Sequence, residues 1–199
     1  MPEDHLIVGL GNPGREYAAT RHNAGFMVVE GMGSGWREEP RLKSRITRVE
    51  LKGKRVWLCQ PVTFMNVSGE AVRAIMDFYK IGIAQVMVTV DDADLALGRI
   101  RMRSGGGSSG GHHGLDSIEK FLGTRDFARQ RVGIGRLDGG TRDIAGYVLG
   151  RFGPDEQAVL SQVLDRARKQ LECWLEHGVQ RAMNQFNGAV DASEKKDNE

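Results

Sequence analysis

Short apolar or alternating runs bounded by turn residues recur along the chain: Leu6–Leu10, Ile46–Leu51, Arg55–Gln60, Val86–Val90, Ile100–Arg103 and Arg131–Ile134. Runs of this length and composition predict strands. The second and third meet across Lys52-Gly53-Lys54 and predict a hairpin. A helical period takes over in SGEAVRAIMDFYKI, where Val72, Ile75, Met76 and Tyr79 share a face. It returns in GLDSIEKFLG, where Leu115, Ile118 and Leu122 do, with Gly123 as terminator. The longest such stretch is GPDEQAVLSQVLDRARKQLECWLEHG, with Pro154 near its first turn, a stripe from Val159 to Trp174 and Gly178 at its end. Strands interleaved with helices, plus one hairpin, predict an α/β fold: a single domain over residues 1–188 with a mixed, twisted sheet flanked by helices. Residues 189–199 are polar and predict a frayed tail. Gly31, Gly33 and Gly35 interrupt a helical pattern that starts near Phe26 and leave that region unassigned.

Composition narrows the class. A chain of 199 residues suits one domain and supports a core without disulfide or metal staples. Cys59 and Cys173, with no C-x-x-C spacing, read as buried thiols in a reducing compartment. With no signal-peptide pattern and no membrane-spanning apolar run, the expected location is the cytoplasm, away from any membrane. The net charge of +2 hides an asymmetry: between Arg99 and Arg142 there are nine Lys/Arg against four Asp/Glu, leaving the remainder acidic. A local basic section on a nearly neutral protein points to a local anionic partner, the alternative being a solvated face.

The stretch LIVGLGNPGREYAATRHNAG spells Gly9-x-Gly11-x-x-Gly14, the dinucleotide-binding spacing, and Glu30 lies near where a ribose-binding acid would stand. The residues after Gly14 are polar and carry no core-facing helical stripe, so the segment reads instead as a tight loop presenting Asn12, Tyr17, His22 and Asn23 beyond a strand end. Other polar residues also succeed predicted strands: Phe64-Met65-Asn66, Asp91-Asp92-x-Asp94, and a glycine-rich loop ending in His112-His113. Because ligands of open α/β sheets bind beyond the carboxyl ends of strands, these segments are expected to converge. A histidine with an aspartate to orient it can activate water, and His22 with Asp91 is the natural pair. No serine lies in a nucleophile elbow between a strand and a helix, so water rather than serine is the expected nucleophile. The His112-His113 pair with the nearby aspartates lacks the H-x-x-x-H or H-E-x-x-H spacing of a metal site, so no metal is expected. SGGGSSGGHHG could be a phosphate-cradling nest or a moving flap. Strand alternation puts Arg99, Arg101 and Arg103 on one face, with Arg131 on a second strand that could lie alongside, a row suited to phosphates or to guarding a sheet edge.

Taken together, IVGLGNPGREYAATRHNAG, PVTFMNVSGEAV, VDDADLALGRIRMRSGGG, GGHHGLDSI, RVGIG and GYVLGRF resemble the bacterial-type peptidyl-tRNA hydrolases over nearly the whole chain. The resemblance implies hydrolysis of the ester joining a peptide to the 3′-ribose of tRNA, by a monomer without cofactor or metal. It makes His22 the catalytic base and Asp91 its orienter. Asn12, Tyr17, Phe64, Met65, Asn66, His112 and His113 become the residues that bind substrate or shape the cleft, and Arg103 and Arg131 the tRNA phosphate ligands. Three features depart from the family pattern. Its usual Gly-Gly-His-Asn-Gly reads Gly-Gly-His-His-Gly, the preceding glycine loop is about a residue longer, and the first helix is shortened around EGMGSGW. The competing reading is an RNA-binding protein on this fold without catalysis; the retained His22 and Asp91 argue against it and His113 argues for it.

Overall fold

Each of the six runs becomes a strand of one eight-stranded sheet in the computed structural model, which describes residues 4–135 and 144–190. In chain order the elements are β1 (His5–Gly9), α1 (Ala24–Glu30), β2 (Arg37–Glu39), β3 (Ser44–Leu51), β4 (Lys54–Pro61), α2 (Ser68–Tyr79), β5 (Val86–Asp92), β6 (Arg99–Arg103), α3 (His113–Leu122), β7 (Ala128–Gly133), α4 (Ile144–Leu149), α5 (Gln157–His177), α6 (Val179–Phe186) and β8 (Gly188–Ala189). The strand order is β2-β3-β4-β1-β5-β7-β6-β8. Its middle four strands are parallel and its two flanks antiparallel, giving the mixed sheet expected. The β3–β4 hairpin turns on Lys52 and Gly53 alone, with φ of 51° and 71°, the left-handed pair that a two-residue turn requires.

Both faces of the central strands are buried, which is why those strands read as unbroken apolar runs. Ile7, Met87, Ile100 and Val132 face α1 and the stripe of α5 formed by Leu160, Val163, Ala167 and Leu171. Leu6, Val8, Val88 and Val90 face α2 and α3 through Val72, Ile75, Leu115 and Ile118. Gly123 (φ 70°) and Gly178 end α3 and α5 where expected. The elements not assigned from the sequence are β2, α4, α6 and β8, although α6 carries an apolar stripe of Val179, Ala182, Met183 and Phe186. In the unassigned glycine region, α1 stops where Arg168 donates to the carbonyls of Met27 and Val28, and the chain then turns into β2 as a sheet edge. At the other edge Asn187 accepts from Met102 N at 2.7 Å and donates to Met102 O at 3.1 Å, extending the cover that the two-residue β8 gives β6. Gln170 donates to Asn187, and Gln130 to Gln170, so this cover is wired by buried amides to the sheet interior.

Both cysteines are free and buried as expected. Burial pushes the Cys59 thiol up to about 12, against a smaller opposing effect of its hydrogen bond to Ser44. Among the described residues no helix is long and apolar enough to cross a membrane. The expected tail begins too early: Ala189 pairs with Arg99 in the sheet and Val190 N donates to Gly98 O, while residues 191–199 lie outside the described residues.

The glycines of the first loop answer to packing rather than to a pyrophosphate. A Cβ on Gly9 would fall on the Gly25 carbonyl, one on Gly25 would lie 2.5 Å from Leu10 N, and one on Gly11 would lie 2.7 Å from the Phe26 ring. These absent side chains let the start of α1 press against the end of β1. Gly25→Ala is therefore expected to destabilise the fold by about 3 kcal/mol, read by urea denaturation. A loss under about 0.5 kcal/mol would mean that the α1–β1 approach yields easily.

Candidate active site

The carboxyl ends of β1, β4 and β5 lie side by side, and the loops leaving them meet there. After β1 the chain runs through a loop to an extended Thr20 and a single 3-10 turn, Arg21–Asn23, leading into α1. Asn23 fixes this loop from within: its Oδ1 accepts from Asn12 N at 2.9 Å and its Nδ2 donates to Asn12 O at 3.0 Å. Asn12 in turn ties the β1 loop to the β4 loop, its Oδ1 accepting from Met65 N at 2.9 Å. Its Nδ2 has no partner among the described residues, so Asn12 presents an unspent donor. Met65 is buried beneath, whereas Asn66 is exposed and Phe64 is 62% exposed; Tyr17 is half-buried in the β1 loop.

The turn delivers His22 to Asp91, with Nδ1 2.9 Å from Oδ1. A second imidazole reaches the same oxygen: His112 Nε2 is 3.0 Å away. The two rings lie 5.2 Å apart at 49°. A carboxylate oxygen only accepts, so both nitrogens carry their protons toward it. This leaves His22 Nε2 as a basic nitrogen with no partner among the described residues. Burial by itself would raise the Asp91 pKa, but its electrostatic attraction to His112 and the hydrogen bonds from His112 and His22 outweigh that. They hold the carboxyl well below the ordinary carboxylate range.

His112 arrives by a route that strand order does not reveal. β6 is antiparallel to β7, so its carboxyl end, Arg103, lies at the opposite end of the sheet from Asp91, beside Arg129. The segment after this strand therefore starts away from the others, and the expected convergence does not follow from strand ends alone. The glycine loop restores convergence by climbing back along β7. Gly106 N donates to Arg125 O, Arg129 donates to Gly107 O at 2.9 Å, and Arg131 donates to Ser108 O and Ser109 O at 3.0 and 2.8 Å. The loop's carbonyls face these guanidinium groups. The amides of Gly110 and Gly111 donate to Ser108 and Ser109 hydroxyls, so they do not form an open phosphate nest.

Arg131 is nine-tenths buried, paired also with Asp92 at 3.3 Å; Arg101 reaches the same Asp92 oxygen at 3.5 Å, and Arg103 is exposed. With Gly107, Gly110 and Asp94 they border a depression of about 200 Å³ that runs from Asp92 along β6 and β7. His113 opens α3 with its side chain 79% exposed, and the acid near it is Asp116 at 3.9 Å. Of the adjacent histidines only His112 joins Asp91.

Arg21 was missed by sequence reasoning, because its partners lie far along the chain. Its guanidinium donates to Arg151 O and to Glu156 Oε2 at 2.7 Å, and lies over the rings of Tyr147 and Phe152. It fastens the segment from α4 to α5 against the turn that carries His22. Arg129 was missed for the same reason; only its alternation with Arg131 on one strand hinted at a shared task.

Residues 6–197 match the family model described as peptidyl-tRNA hydrolase. The chain belongs to the peptidyl-tRNA hydrolase family. It is 51% identical to the peptidyl-tRNA hydrolase of Synechococcus sp. (strain JA-3-3Ab), across 92% of this chain and 82% of that one. Identity to the enzyme of Caldanaerobacter subterraneus subsp. tengcongensis is 44%, across 92% and 100%. The crystal structure of the Acinetobacter baumannii peptidyl-tRNA hydrolase superposes with a TM-score of 0.87 at 38% identity, across 96% of this chain and 97% of that one. The α/β architecture is thus that of the family.

A carboxyl whose pKa is depressed by folding contributes stability above its unfolded value of about 3.9, and loses it as pH falls through the folded value. Asp91→Asn is expected to flatten the dependence of urea-unfolding stability on pH below about 4. An unchanged acid slope would assign the acid sensitivity to other carboxylates.

Proposed function

We infer that this chain hydrolyses peptidyl-tRNA, splitting the ester between the peptide and the 3′-ribose, with His22 as general base. The observation that carries the assignment of the base is the His22 ring itself: Nδ1 is committed to Asp91 and Nε2 is left with its lone pair. Nε2 takes a proton from water as the water oxygen bonds to the ester carbonyl carbon. The imidazolium, stabilised by Asp91, then returns that proton to the departing 3′-oxygen. The products are a peptide acid and tRNA with a free 3′-hydroxyl.

Asn12, whose Nδ2 donor is unspent while Oδ1 already accepts from Met65 N, suits a peptide carbonyl better than an α-ammonium, giving a reason for rejecting free aminoacyl-tRNA. Asn66 offers both donor and acceptor, and Tyr17, Phe64 and Met65 shape the surrounding cleft. Arg103 takes a tRNA phosphate on the exposed side of the depression, with Arg131 supporting it from beneath. We assign the reaction no metal. His22, Asp91 and His112 bring ligand-type atoms within 4.8 Å. For His112 to offer Nε2 to a cation, its proton would have to move to Nδ1, which accepts from Gly114 N and Leu115 N. The protein is proposed to act as a cytoplasmic monomer, one domain to about residue 190 with a polar tail.

Wild type is expected to release N-acetyl-aminoacyl groups from tRNA and to leave unacetylated aminoacyl-tRNA intact. His22→Ala should lower kcat/KM by about 10²–10⁴. Binding of tRNA without cleavage by wild type would instead favour an RNA-binding protein. Arg103→Ala is expected to weaken tRNA binding and reduce the slope of log Kd against log salt by about 1; an unchanged slope removes Arg103 from the phosphate site.

A further inference from the structure

His112 carries two sets of hydrogen bonds that constrain each other. As the residue that caps α3, it accepts on Nδ1 from Gly114 N at 3.2 Å and Leu115 N at 3.4 Å. Backbone amides cannot accept, so Nδ1 must be bare and the ring's proton must sit on Nε2. That nitrogen lies 3.0 Å from Asp91 Oδ1, the oxygen that also receives His22 Nδ1. Both polar atoms of His112 are thereby spent within the protein, and none remains to hold substrate. The loop that brings the ring there is itself pinned by the buried Arg129 and Arg131.

We propose that His112 is a positioning residue, rather than a substrate ligand, in which the α3 cap fixes the tautomer and makes Nε2–H an obligatory second donor to Asp91. The proposal rests on the reading of His22 as base. An oxygen that accepts two bonds offers each donor less charge than an oxygen that accepts one. His112 therefore moderates the pull of Asp91 on the Nδ1–H of His22. It also limits the rotation of the carboxylate, and so the direction in which Nε2 of His22 points. The other charged groups around the trio have partners of their own: Arg21 with Glu156 beneath Tyr147, and Asp92 with Arg101 and Arg131. His113 with Asp116 is turned to solvent. Replacing His112 leaves these pairs in place.

The test uses the full chain with N-acetyl-aminoacyl-tRNA, comparing wild type, His112→Asn and His112→Ala. Asparagine keeps an N-cap acceptor but is too short to reproduce the bond to Asp91, so it separates capping from positioning. Both variants are expected to move the acidic limb of kcat/KM to higher pH by about 0.5–1 unit. His112→Ala should also lower Tm by about 2–4 °C while His112→Asn stays near wild type. Nitrogen-15 imidazole spectra of wild type at pH 7 should find His112 protonated on Nε2 and bare on Nδ1. An acidic limb that stays in place in His112→Asn, or His112 protonated on Nδ1, overturns the inference. Full activity of His22→Ala would overturn the underlying assignment of the base instead.

Discussion

One buried oxygen, Oδ1 of Asp91, organises the end of this molecule where the loops after β1, β4 and β5 meet. It sits at the end of a strand with both faces covered, where an unpaired carboxylate would be costly. Two imidazoles meet that cost, and they come from opposite sides: His22 from the turn that opens α1, His112 from the loop that opens α3. Each side of the sheet contributes one donor, so the carboxylate also joins the two helical layers at their edge. The neighbouring Asp92 does the corresponding work for the basic section by gathering Arg101 and Arg131. Two consecutive carboxylates on β5 thus separate the pair of imidazoles from the cluster of arginines, because alternation sends their side chains to opposite faces.

The demands of this arrangement run back into the fold. His22 can reach Asp91 only if α1 starts close against β1, which is why Gly9, Gly11 and Gly25 lack side chains. His112 can reach it only if the chain returns the length of β7 after β6 has carried it away. Four glycines in that returning segment, Gly105, Gly106, Gly110 and Gly111, adopt positive φ, and two buried arginines hold its carbonyls. A loop pinned in this way behaves as part of the site's framework more than as a flap. Arg21 secures the third side, where its guanidinium joins the His22 turn to the start of α5.

Several strands, the three long helices and the α/β class are legible in the sequence alone, because hydrophobic period is a local signal and the core requires it. The same holds for His22, Asp91, Asn12 and the Phe64–Asn66 segment as polar groups beyond strand ends. Motif resemblance added their expected roles. Elements too short to show a period, β2, α4 and β8, left no such trace; they form because a neighbouring edge or helix end needs covering.

What only the tertiary structure decided is which polar atoms are already spent. Sequence offers His112 and His113 as equivalents, yet one is a cap with both nitrogens engaged and the other faces solvent. It offers Asn12 as a two-sided amide, whereas its oxygen belongs to Met65 N. It offers Arg131 as a free cation, whereas that cation holds Asp92 and a loop. Hydrogen-bond commitments of this kind join residues tens of positions apart through strand direction and register. Local composition carries no record of either, so the residues were legible from the chain and their vacancies were not.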